Sequence, residues 1–189
     1  MEKLLRFIIK PVSITKPGLL ILDRDGTLIE HVPYLKDITQ VIFKEGVFGA
    51  LSKIQKLGYK LAIVSNQSVV GRGLASRQEV DSVNSYIRNE FDKNNIEISS
   101  IKICPHTEMD KCLCRKPKTQ LGEELINEFS PAIEKVFMVG DQLVDIEFAQ
   151  NLGIQAINIS NKVNHSTGAA PFVKNWIEFE NEILGNLIQ

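Results

Sequence analysis

Short apolar runs alternate with longer amphipathic segments along most of the chain. Short runs bounded by polar or glycine residues are typical of buried strands, whereas apolar residues three or four positions apart are typical of helices. The predicted strands are residues 19–22, 60–66, 98–103, 135–139 and 154–159. The predicted helices are residues 47–57, a helix that begins after Ser76, and residues 121–129, 145–152 and 174–187.

This alternation predicts an α/β fold, with one Rossmann-like parallel sheet and helices on both of its faces. The length of 189 residues is ordinary for one domain, and no internal repeat or linker interrupts the pattern. We therefore expect a single domain over residues 18–189, preceded by an N-terminal extension over residues 1–17. Ligands of such sheets bind beyond the carboxyl ends of the strands.

Composition and charge argue against several classes of protein. The formal net charge is -1, so no positive excess favours a nucleic-acid partner. No apolar run approaches the roughly 20 residues that a membrane span requires. The apolar patch at residues 4–9 is interrupted by Arg6 and followed by Lys10 and Pro11, which makes a poor secretory signal. We expect a cytoplasmic protein that binds neither membranes nor nucleic acids.

Four polar clusters stand out against this pattern: DRDGT at 23–27, SNQ at 65–67, RKP at 115–117 and GDQLVD at 140–145. Three of them follow predicted strands, whose carboxyl ends share one edge of a parallel sheet, so the clusters can converge there. Each cluster alone is also an ordinary turn or cap. Converging carboxylates at the ends of buried strands, however, require a cation, a shared proton or a chemical role. Mg²⁺ suits the carboxylates, and a lysine with a hydroxyl suits a phosphate.

In this order, the four clusters resemble the four motifs of the haloacid dehalogenase (HAD) superfamily of phosphohydrolases, over about residues 18–160. The resemblance implies a HAD-like fold and transfer of a phosphoryl group to an aspartate. It makes Asp23 the nucleophile, while Asp25 protonates the leaving oxygen and then activates water. Lys116 neutralises the transferring group. These roles agree with the physics, because a carboxylate attacks a phosphate only where positive charge cancels their repulsion.

The same resemblance implies which residues bind phosphate and metal. The expected phosphate-binding residues are Thr27, Ser65 and Asn66. The expected Mg²⁺ ligands are Asp23, the backbone carbonyl of Asp25, and Asp141, with Asp145 as a further candidate.

All three cysteines and one of the three histidines lie in CPHTEMDKCLC, residues 104–114. Idle or buried thiols are one interpretation, because free cysteine is common in protein cores. The spacing C-x-H and then C-x-C, among charged residues, favours a tetrahedral Zn²⁺ site held by Cys104, His106, Cys112 and Cys114. Four protein ligands leave no open position, so we expect a structural zinc that shapes this segment, which we call the zinc loop.

The zinc loop followed by CRKP, with no room for a large cap domain, resembles the histidinol-phosphatase and heptose-bisphosphate-phosphatase branch of the superfamily. In NQSVVGRGL at 66–74, Gln67, Ser68, Arg72 and Gly73 match the heptose enzymes, whereas Val69 replaces a glycine. The short zinc-loop spacing instead resembles the histidinol enzymes. Gln142 replaces a lysine that is frequent in the heptose enzymes. Arg72 and Arg115 suit the second phosphate of D-glycero-D-manno-heptose 1,7-bisphosphate, which we favour as substrate. Histidinol phosphate, the alternative, requires an acidic contact for its amine.

The expected partner is therefore a small phosphorylated metabolite, bound by a monomer or a small homo-oligomer. His31, Tyr34 and Lys36 are weaker candidates for substrate contact. A non-catalytic, zinc-stabilised binding domain is the alternative from another class of protein. It predicts loss of the nucleophile or of the RKP cluster, and both are present.

Overall fold

Six parallel strands form one sheet in the computed structural model, which describes residues 16–160 and 170–183. The strands are β1 (Gly18–Leu22), β2 (Tyr59–Asn66), β3 (Ile98–Cys104), β4 (Val136–Gly140), β5 (Gln155–Ile159) and β6 (Phe172–Val173). Their order across the sheet is β3-β2-β1-β4-β5-β6. The predicted parallel sheet is confirmed. The two residues of β6 are too few to produce a pattern that a sequence reading detects.

The helices of the described residues are α1 (Val47–Lys56), α2 (Ser68–Gly71), α3 (Arg77–Lys93), α4 (Gln120–Phe129), α5 (Leu143–Leu152) and α6 (Trp176–Glu182). A capping box fixes the start of α3, as the sequence predicts. The Ser76 hydroxyl accepts from the Glu79 amide at 3.1 Å, and the Glu79 carboxylate accepts from the Ser76 amide at 2.7 Å. The single turn α2 was not predicted.

Several predicted boundaries are corrected. The last helix begins at Trp176 and not at residue 174, because Asn175 accepts from the Glu178 amide as its N-cap. Its predicted end lies outside the described residues, as does the expected extension apart from residues 16 and 17. Strand β4 begins at Val136, since Lys135 closes a 3₁₀ turn. Helix α5 begins at Leu143, two residues before its predicted start.

The central strands are buried on both faces, with side chains that alternate between two cores. Leu20 and Leu22 of β1 belong to the core that also contains apolar residues of α1, α3 and α6. Leu19 and Ile21 belong to the core formed with α4 and α5. All four are fully buried. This explains why β1 is apolar at every position, and it confirms helices on both faces of the sheet.

The register of the sheet places the polar clusters side by side. Leu22, the last residue of β1, pairs with Ile63 of β2 and with Val139 of β4. The residues after these positions therefore leave the same edge of the sheet. The connections between successive strands from β1 to β4 are helices and loops of the one domain, and among the described residues they form no large cap. No helix among residues 16–160 and 170–183 is long and apolar enough to cross a membrane.

Candidate active site

Lys116 lies at the centre of the strand-end edge and joins three segments. Its Nζ donates hydrogen bonds to Asp23 Oδ1 at 2.6 Å, Asp145 Oδ1 at 2.7 Å and the Val64 carbonyl at 2.8 Å. These bonds use all three protons of the ammonium group. Lys116 is only 3% exposed, so its charge is buried together with the two carboxylates. The RKP cluster is thereby connected to β1, β2 and α5.

Asn66 positions Lys116 through its backbone. The Lys116 amide donates to Asn66 Oδ1 at 2.9 Å, and Asn66 Nδ2 donates to the Lys116 carbonyl at 3.0 Å. This reciprocal pair resembles a short piece of sheet between the end of β2 and the RKP cluster. Asn66 lines the cavity, as expected of a phosphate-binding residue, but its amide already holds the lysine in place.

Asp23 and Lys116 perturb each other's ionisation. Burial raises the pKa of Asp23 to about 8; the Lys116 ammonium opposes this rise, and the charges of Asp145 and Asp25 add to it. Burial alone would lower the pKa of Lys116, but Asp145 and Asp23 outweigh burial and hold that pKa above its ordinary value. Lys116 therefore stays a cation, whereas Asp23 needs further positive charge to be fully ionised near neutral pH.

The carboxylate of Asp25 is held by three side chains. Arg24 donates from Nε to Oδ2 and from Nη2 to Oδ1, both at 3.0 Å. Gln67 Nε2 donates to Oδ2 at 2.8 Å and to Ser65 Oγ, also at 2.8 Å. Ser65 Oγ itself lies 3.4 Å from Asp25 Oδ2. The predicted acid–base residue and the predicted phosphate-binding hydroxyl are therefore neighbours, and both line the cavity.

Asp23, Asp141 and Asp145 form an acidic cluster, with one carboxylate oxygen of each within 4.8 Å of the others. Thr27 was expected to bind phosphate, but its hydroxyl donates to Asp141 Oδ1 at 3.3 Å and it is not among the residues that line the cavity. Gly26 has a φ of 91°, and a Cβ at this position would clash with the Asp141 carboxylate. Glycine therefore permits the close approach of Asp141.

The donor set at this edge fits a hard divalent cation. With Asp25, the cluster contains four carboxyl groups, whereas the buried cations beside them are Arg24 and Lys116, so with all four ionised, four minus two leaves two negative charges. Burial and the nearby Asp145 charge also raise the pKa of Asp141. Oxygen ligands together with a deficit of two positive charges are what Mg²⁺ satisfies in proteins.

The four predicted zinc ligands come together. Sγ of Cys104 lies 3.6 Å from Sγ of Cys112 and 3.1 Å from Sγ of Cys114, and His106 Nδ1 lies 3.2 Å from Cys114 Sγ. Such spacing suits four ligand atoms around one metal ion. Burial opposes ionisation of Cys112, but hydrogen bonds from the Arg115 amide and the neighbouring thiols lower its pKa to about 7. A thiolate, the form that binds metal, is thus accessible near neutral pH.

A cavity of about 790 Å³ opens in front of the strand ends. Its floor consists of Asp23, Asp25, Ser65, Lys116 and Asp145. We call its outer wall the rim, which comprises residues 31–35 together with Thr107, Glu108, Lys111, Arg115 and Lys118. The zinc loop therefore contributes directly to the entrance of the cavity.

The predicted substrate-contact residues divide into two groups. His31, Tyr34 and Arg115 line the cavity, and Arg115 Nη2 also donates to Glu108 Oε1 at 2.9 Å. Arg72 is exposed and does not line the cavity. Lys36 is also absent from the lining, and its Nζ lies 3.5 Å from the Leu74 carbonyl.

Four contributors were not predicted. Lys111 lies within the zinc loop and Lys118 four residues after it, and their charge alone was the available signal. Gln67 belongs to the SNQ cluster, although no role was assigned to it. Asn84 accepts a hydrogen bond from Arg24 and lies in the middle of α3, so no local pattern marks it.

Comparison with known proteins places this site in a family. A family model described as HAD-hydrolase-like matches residues 113–171, which include the RKP and GDQLVD clusters. The chain is 37% identical over 145 residues to the histidine biosynthesis bifunctional protein HisB of Legionella pneumophila (strain Lens). That match covers 75% of this chain and 41% of HisB, so the chain spans less than half the length of this relative.

Two further relatives concern heptose phosphates. The probable D-glycero-D-manno-heptose-1,7-bisphosphate 7-phosphatase of Thermoplasma volcanium is 33% identical over 134 residues, covering 70% of this chain and 92% of that protein. The crystal structure of D,D-heptose 1,7-bisphosphate phosphatase from B. bronchiseptica, complexed with magnesium and phosphate, has the same fold. Its TM-score is 0.81 at 20% identity, covering 89% of this chain and 99% of that one. The chain therefore belongs to the haloacid dehalogenase-like family of phosphatases.

Proposed function

We propose that the chain is a Mg²⁺-dependent phosphomonoester hydrolase that forms an aspartyl-phosphate on Asp23. The observation that carries this proposal is the buried Lys116 ammonium, 2.6 Å from Asp23 and 2.7 Å from Asp145 at the floor of an open cavity. Burying such a charged group costs several kcal/mol unless its partners are all in place. A non-catalytic domain that binds ligands only through its rim does not require a buried ammonium group between two carboxylates.

In the first half-reaction, an Asp23 carboxylate oxygen attacks phosphorus while the bond from phosphorus to the leaving oxygen breaks. Lys116 offsets the negative charge of the incoming phosphate, and the Ser65 hydroxyl donates to one of its oxygens. Asp25 transfers its proton to the leaving oxygen, so the product departs as a neutral alcohol. The support for this division of roles is that both aspartates line the cavity, while Lys116 contacts only Asp23 of the two.

In the second half-reaction, the ionised Asp25 takes a proton from water, and the water oxygen attacks phosphorus. The bond between phosphorus and Asp23 then breaks and inorganic phosphate leaves. The same carboxyl group thus acts as acid and then as base, which requires that it stay in one place between the steps. The hydrogen bonds from Arg24 and Gln67 support this.

Two metals complete the proposal. Asp23, Asp141 and the backbone carbonyl of Asp25, with Asp145 nearby, would hold Mg²⁺. When bound, Mg²⁺ supplies positive charge that favours ionised Asp23 and neutralises the transferring group. A structural Zn²⁺ would be held by Cys104, His106, Cys112 and Cys114, and it would fix the part of the rim that carries Arg115.

We propose D-glycero-D-manno-heptose 1,7-bisphosphate as the substrate, hydrolysed at its 7-phosphate. The support is the charge of the rim, where Lys111, Arg115 and Lys118 line the cavity in addition to Lys116. A second phosphate needs such cations, and arginine binds it through a fork of donors. The Thermoplasma volcanium relative is named as a probable 7-phosphatase of this compound, and the match covers 92% of that protein. Arg72, the other arginine predicted to bind the second phosphate, is not among the residues that line the cavity.

Histidinol phosphate is the second candidate, because Glu108 also lines the rim and provides an acidic contact for an amine. Glu108 is engaged by Arg115 at 2.9 Å, so the amine would have to displace that arginine. HisB of Legionella pneumophila, a histidine-biosynthesis protein, is among the relatives. If histidinol phosphate is the substrate, removing Arg115 should raise kcat/KM for it. If the heptose bisphosphate is the substrate, removing Arg115 should lower kcat/KM for it.

A substrate panel tests the proposal. Purified protein with Mg²⁺ is given heptose 1,7-bisphosphate, fructose 1,6-bisphosphate and histidinol phosphate, and released phosphate is measured, with Asp23→Asn as the matched control. We expect kcat/KM for the heptose bisphosphate to exceed that for histidinol phosphate by about tenfold or more, as one charge-assisted contact provides. The reverse order would assign histidinol phosphate. Equal phosphate release by Asp23→Asn would overturn the mechanism.

The remaining expectations extend this proposal. We propose a small phosphorylated metabolite as the partner, an enzyme that works as a monomer or small homo-oligomer, and a cytoplasmic location. Size-exclusion chromatography coupled to light scattering measures the oligomeric state directly.

A further inference from the structure

Arg24 separates the two aspartates of the DRDGT cluster and is itself buried, with 1% of its surface exposed. A buried guanidinium costs several kcal/mol unless charge and hydrogen bonds compensate it. Its neighbour Asp25 provides the charge through a bidentate contact, in which Arg24 Nε and Nη2 donate to the two carboxylate oxygens, both at 3.0 Å. The third side of the guanidinium meets Asn84, since Arg24 Nη1 donates to Asn84 Oδ1 at 2.8 Å.

Asn84 lies in the middle of α3, sixty positions along the chain from Arg24, and is 7% exposed. Asparagine is a poor helix former, because its amide competes with the backbone for hydrogen bonds. In this helix its carbonyl oxygen instead accepts from a buried cation. The contact links α3 to the loop after β1.

The guanidinium is planar and rigid, so fixing one edge of it fixes the other. Asn84 contacts the Nη1 side, and the Nε and Nη2 side contacts both carboxylate oxygens of Asp25. The orientation of the Asp25 carboxyl group is thereby connected to α3 through a single side chain. Gln67, the residue that follows β2, adds a further donor to Asp25.

We propose that Arg24 and Asn84 are positioning residues, which hold the Asp25 carboxyl group where it can protonate the leaving oxygen. This inference rests on the proposed function, because it assigns a role within the same reaction. It assigns a different cation to each aspartate of the DRDGT cluster: Lys116 contacts the nucleophile Asp23, and Arg24 contacts the acid–base residue Asp25. Neither Arg24 nor Asn84 needs to touch the substrate.

The dependence of the rate on the leaving group tests this role. A primary alkyl phosphate, whether heptose 1,7-bisphosphate or histidinol phosphate, needs a proton at its leaving oxygen, whereas p-nitrophenolate leaves without one. Single-turnover release of each product, with enzyme in excess, isolates the first half-reaction. General acid catalysis contributes about 10²–10⁴-fold. Partial misplacement of Asp25 should therefore slow alcohol release about tenfold or more and p-nitrophenolate release less than about twofold.

The variants are Asn84→Leu, which removes the acceptor and keeps the same branched arrangement of side-chain heavy atoms, and Asn84→Asp, which keeps an oxygen in its place. Asn84→Leu should show the selective loss, and Asn84→Asp should recover alcohol release to within about threefold of the natural protein. Phe91→Leu is the control, because Phe91 is buried in the same helix two turns away from Asn84. It should lower stability and leave the ratio of the two rates unchanged.

Equal slowing of both substrates by Asn84→Leu, or no slowing of either, would overturn the positioning role. If Asn84→Leu does not fold, Arg24→Lys carries the test, because lysine keeps the charge and loses the fork; it should show the same selective loss. Equal loss on both substrates in Arg24→Lys would also overturn the inference. Failure of the unsubstituted protein to release phosphate from any of these substrates would instead overturn the proposed function.

Discussion

The floor and the rim of the cavity differ in how their charges are held. At the floor, Lys116 and Asp145 are 3% and 1% exposed, and the lysine ammonium group donates three hydrogen bonds to protein acceptors. At the rim, the side chains of Arg115 and Glu108 are 20% and 73% exposed. Their 2.9 Å contact is therefore open to water on the Glu108 side, and solvent-accessible pairs of this kind contribute about 0–1 kcal/mol.

This difference separates two functions of one cavity. Buried charges that contact each other are costly to rearrange, so the floor suits a reaction that needs fixed geometry. Exposed pairs exchange partners at little cost, so the rim suits recognition of the variable part of a substrate. Substitutions at the floor should therefore affect the rate with every substrate, whereas substitutions at the rim should affect the choice among substrates.

The largest effect is expected for Lys116→Met, which removes the buried cation at similar length. Loss of one electrostatic group of this kind lowers kcat by about 10²–10³-fold. Leaving Asp23 and Asp145 buried without their cation should also lower the free energy of unfolding by about 3–5 kcal/mol. Turnover of the whole substrate panel and urea unfolding measure the two effects. Full activity with any one substrate would contradict the general role of the floor.

The second-largest effect is expected in the zinc loop, which connects the rim of the cavity to Lys116 at the floor. Cys112→Ser removes a predicted zinc ligand from the loop that precedes Lys116. We expect metal analysis to fall from about one zinc per chain to much less, and thermal stability to fall with it. Activity should decrease with all substrates, because the loop also places the RKP cluster. Unchanged zinc content would show that Cys112 is not a ligand.

A smaller and more selective effect is expected from the rim. Arg115→Ala should raise KM for the heptose bisphosphate about tenfold, which corresponds to one lost charge-assisted hydrogen bond, and leave kcat nearly unchanged. Arg72→Ala is the matched control, since Arg72 is exposed outside the cavity and its loss should leave KM within about twofold. An equal rise in KM for both variants would remove the distinction between them.

The smallest effect is the pH dependence of stability in magnesium-free buffer. The pKa of Asp23 is about 8 in the folded protein against 3.8 as its ordinary value, so the folded state binds the extra proton between these pH values. Because the pKa is raised for an acid, stability should fall as the pH rises from 5 to 8. Mg²⁺ binds ionised carboxylates, so saturating Mg²⁺ should raise Tm by about 5–10 °C at pH 8 and less at pH 5. A larger gain at pH 5 would contradict this assignment.

The sequence predicted those features that depend on local pattern. The apolar run of β1 and the capping box at Ser76 reflect burial and hydrogen bonding within a few residues, so both were recognised. The convergence of the polar clusters followed from the parallel sheet, and the clustering of the three cysteines and His106 of the zinc loop followed from their spacing.

The remaining features depend on contacts between residues far apart in the chain. The pairing of Asn66 with the Lys116 backbone and of Arg24 with Asn84 can be seen only after the chain has folded. Arg72 is the reverse case, because its local sequence suggests a contact with substrate but the fold leaves it outside the cavity lining. Thr27 was likewise placed with the phosphate, although its hydroxyl faces Asp141.

Chemical trapping tests most directly whether Asp23 accepts the phosphoryl group. Enzyme turning over substrate with Mg²⁺ is quenched and treated with borohydride, which reduces an acyl phosphate to an alcohol, and the peptide containing residues 21–30 is sequenced by mass spectrometry. We predict homoserine at position 23, and none without substrate or in Asp23→Asn. An active enzyme in which residue 23 remains unreduced aspartate, whether another carboxylate or none is reduced, would contradict the proposed role of Asp23.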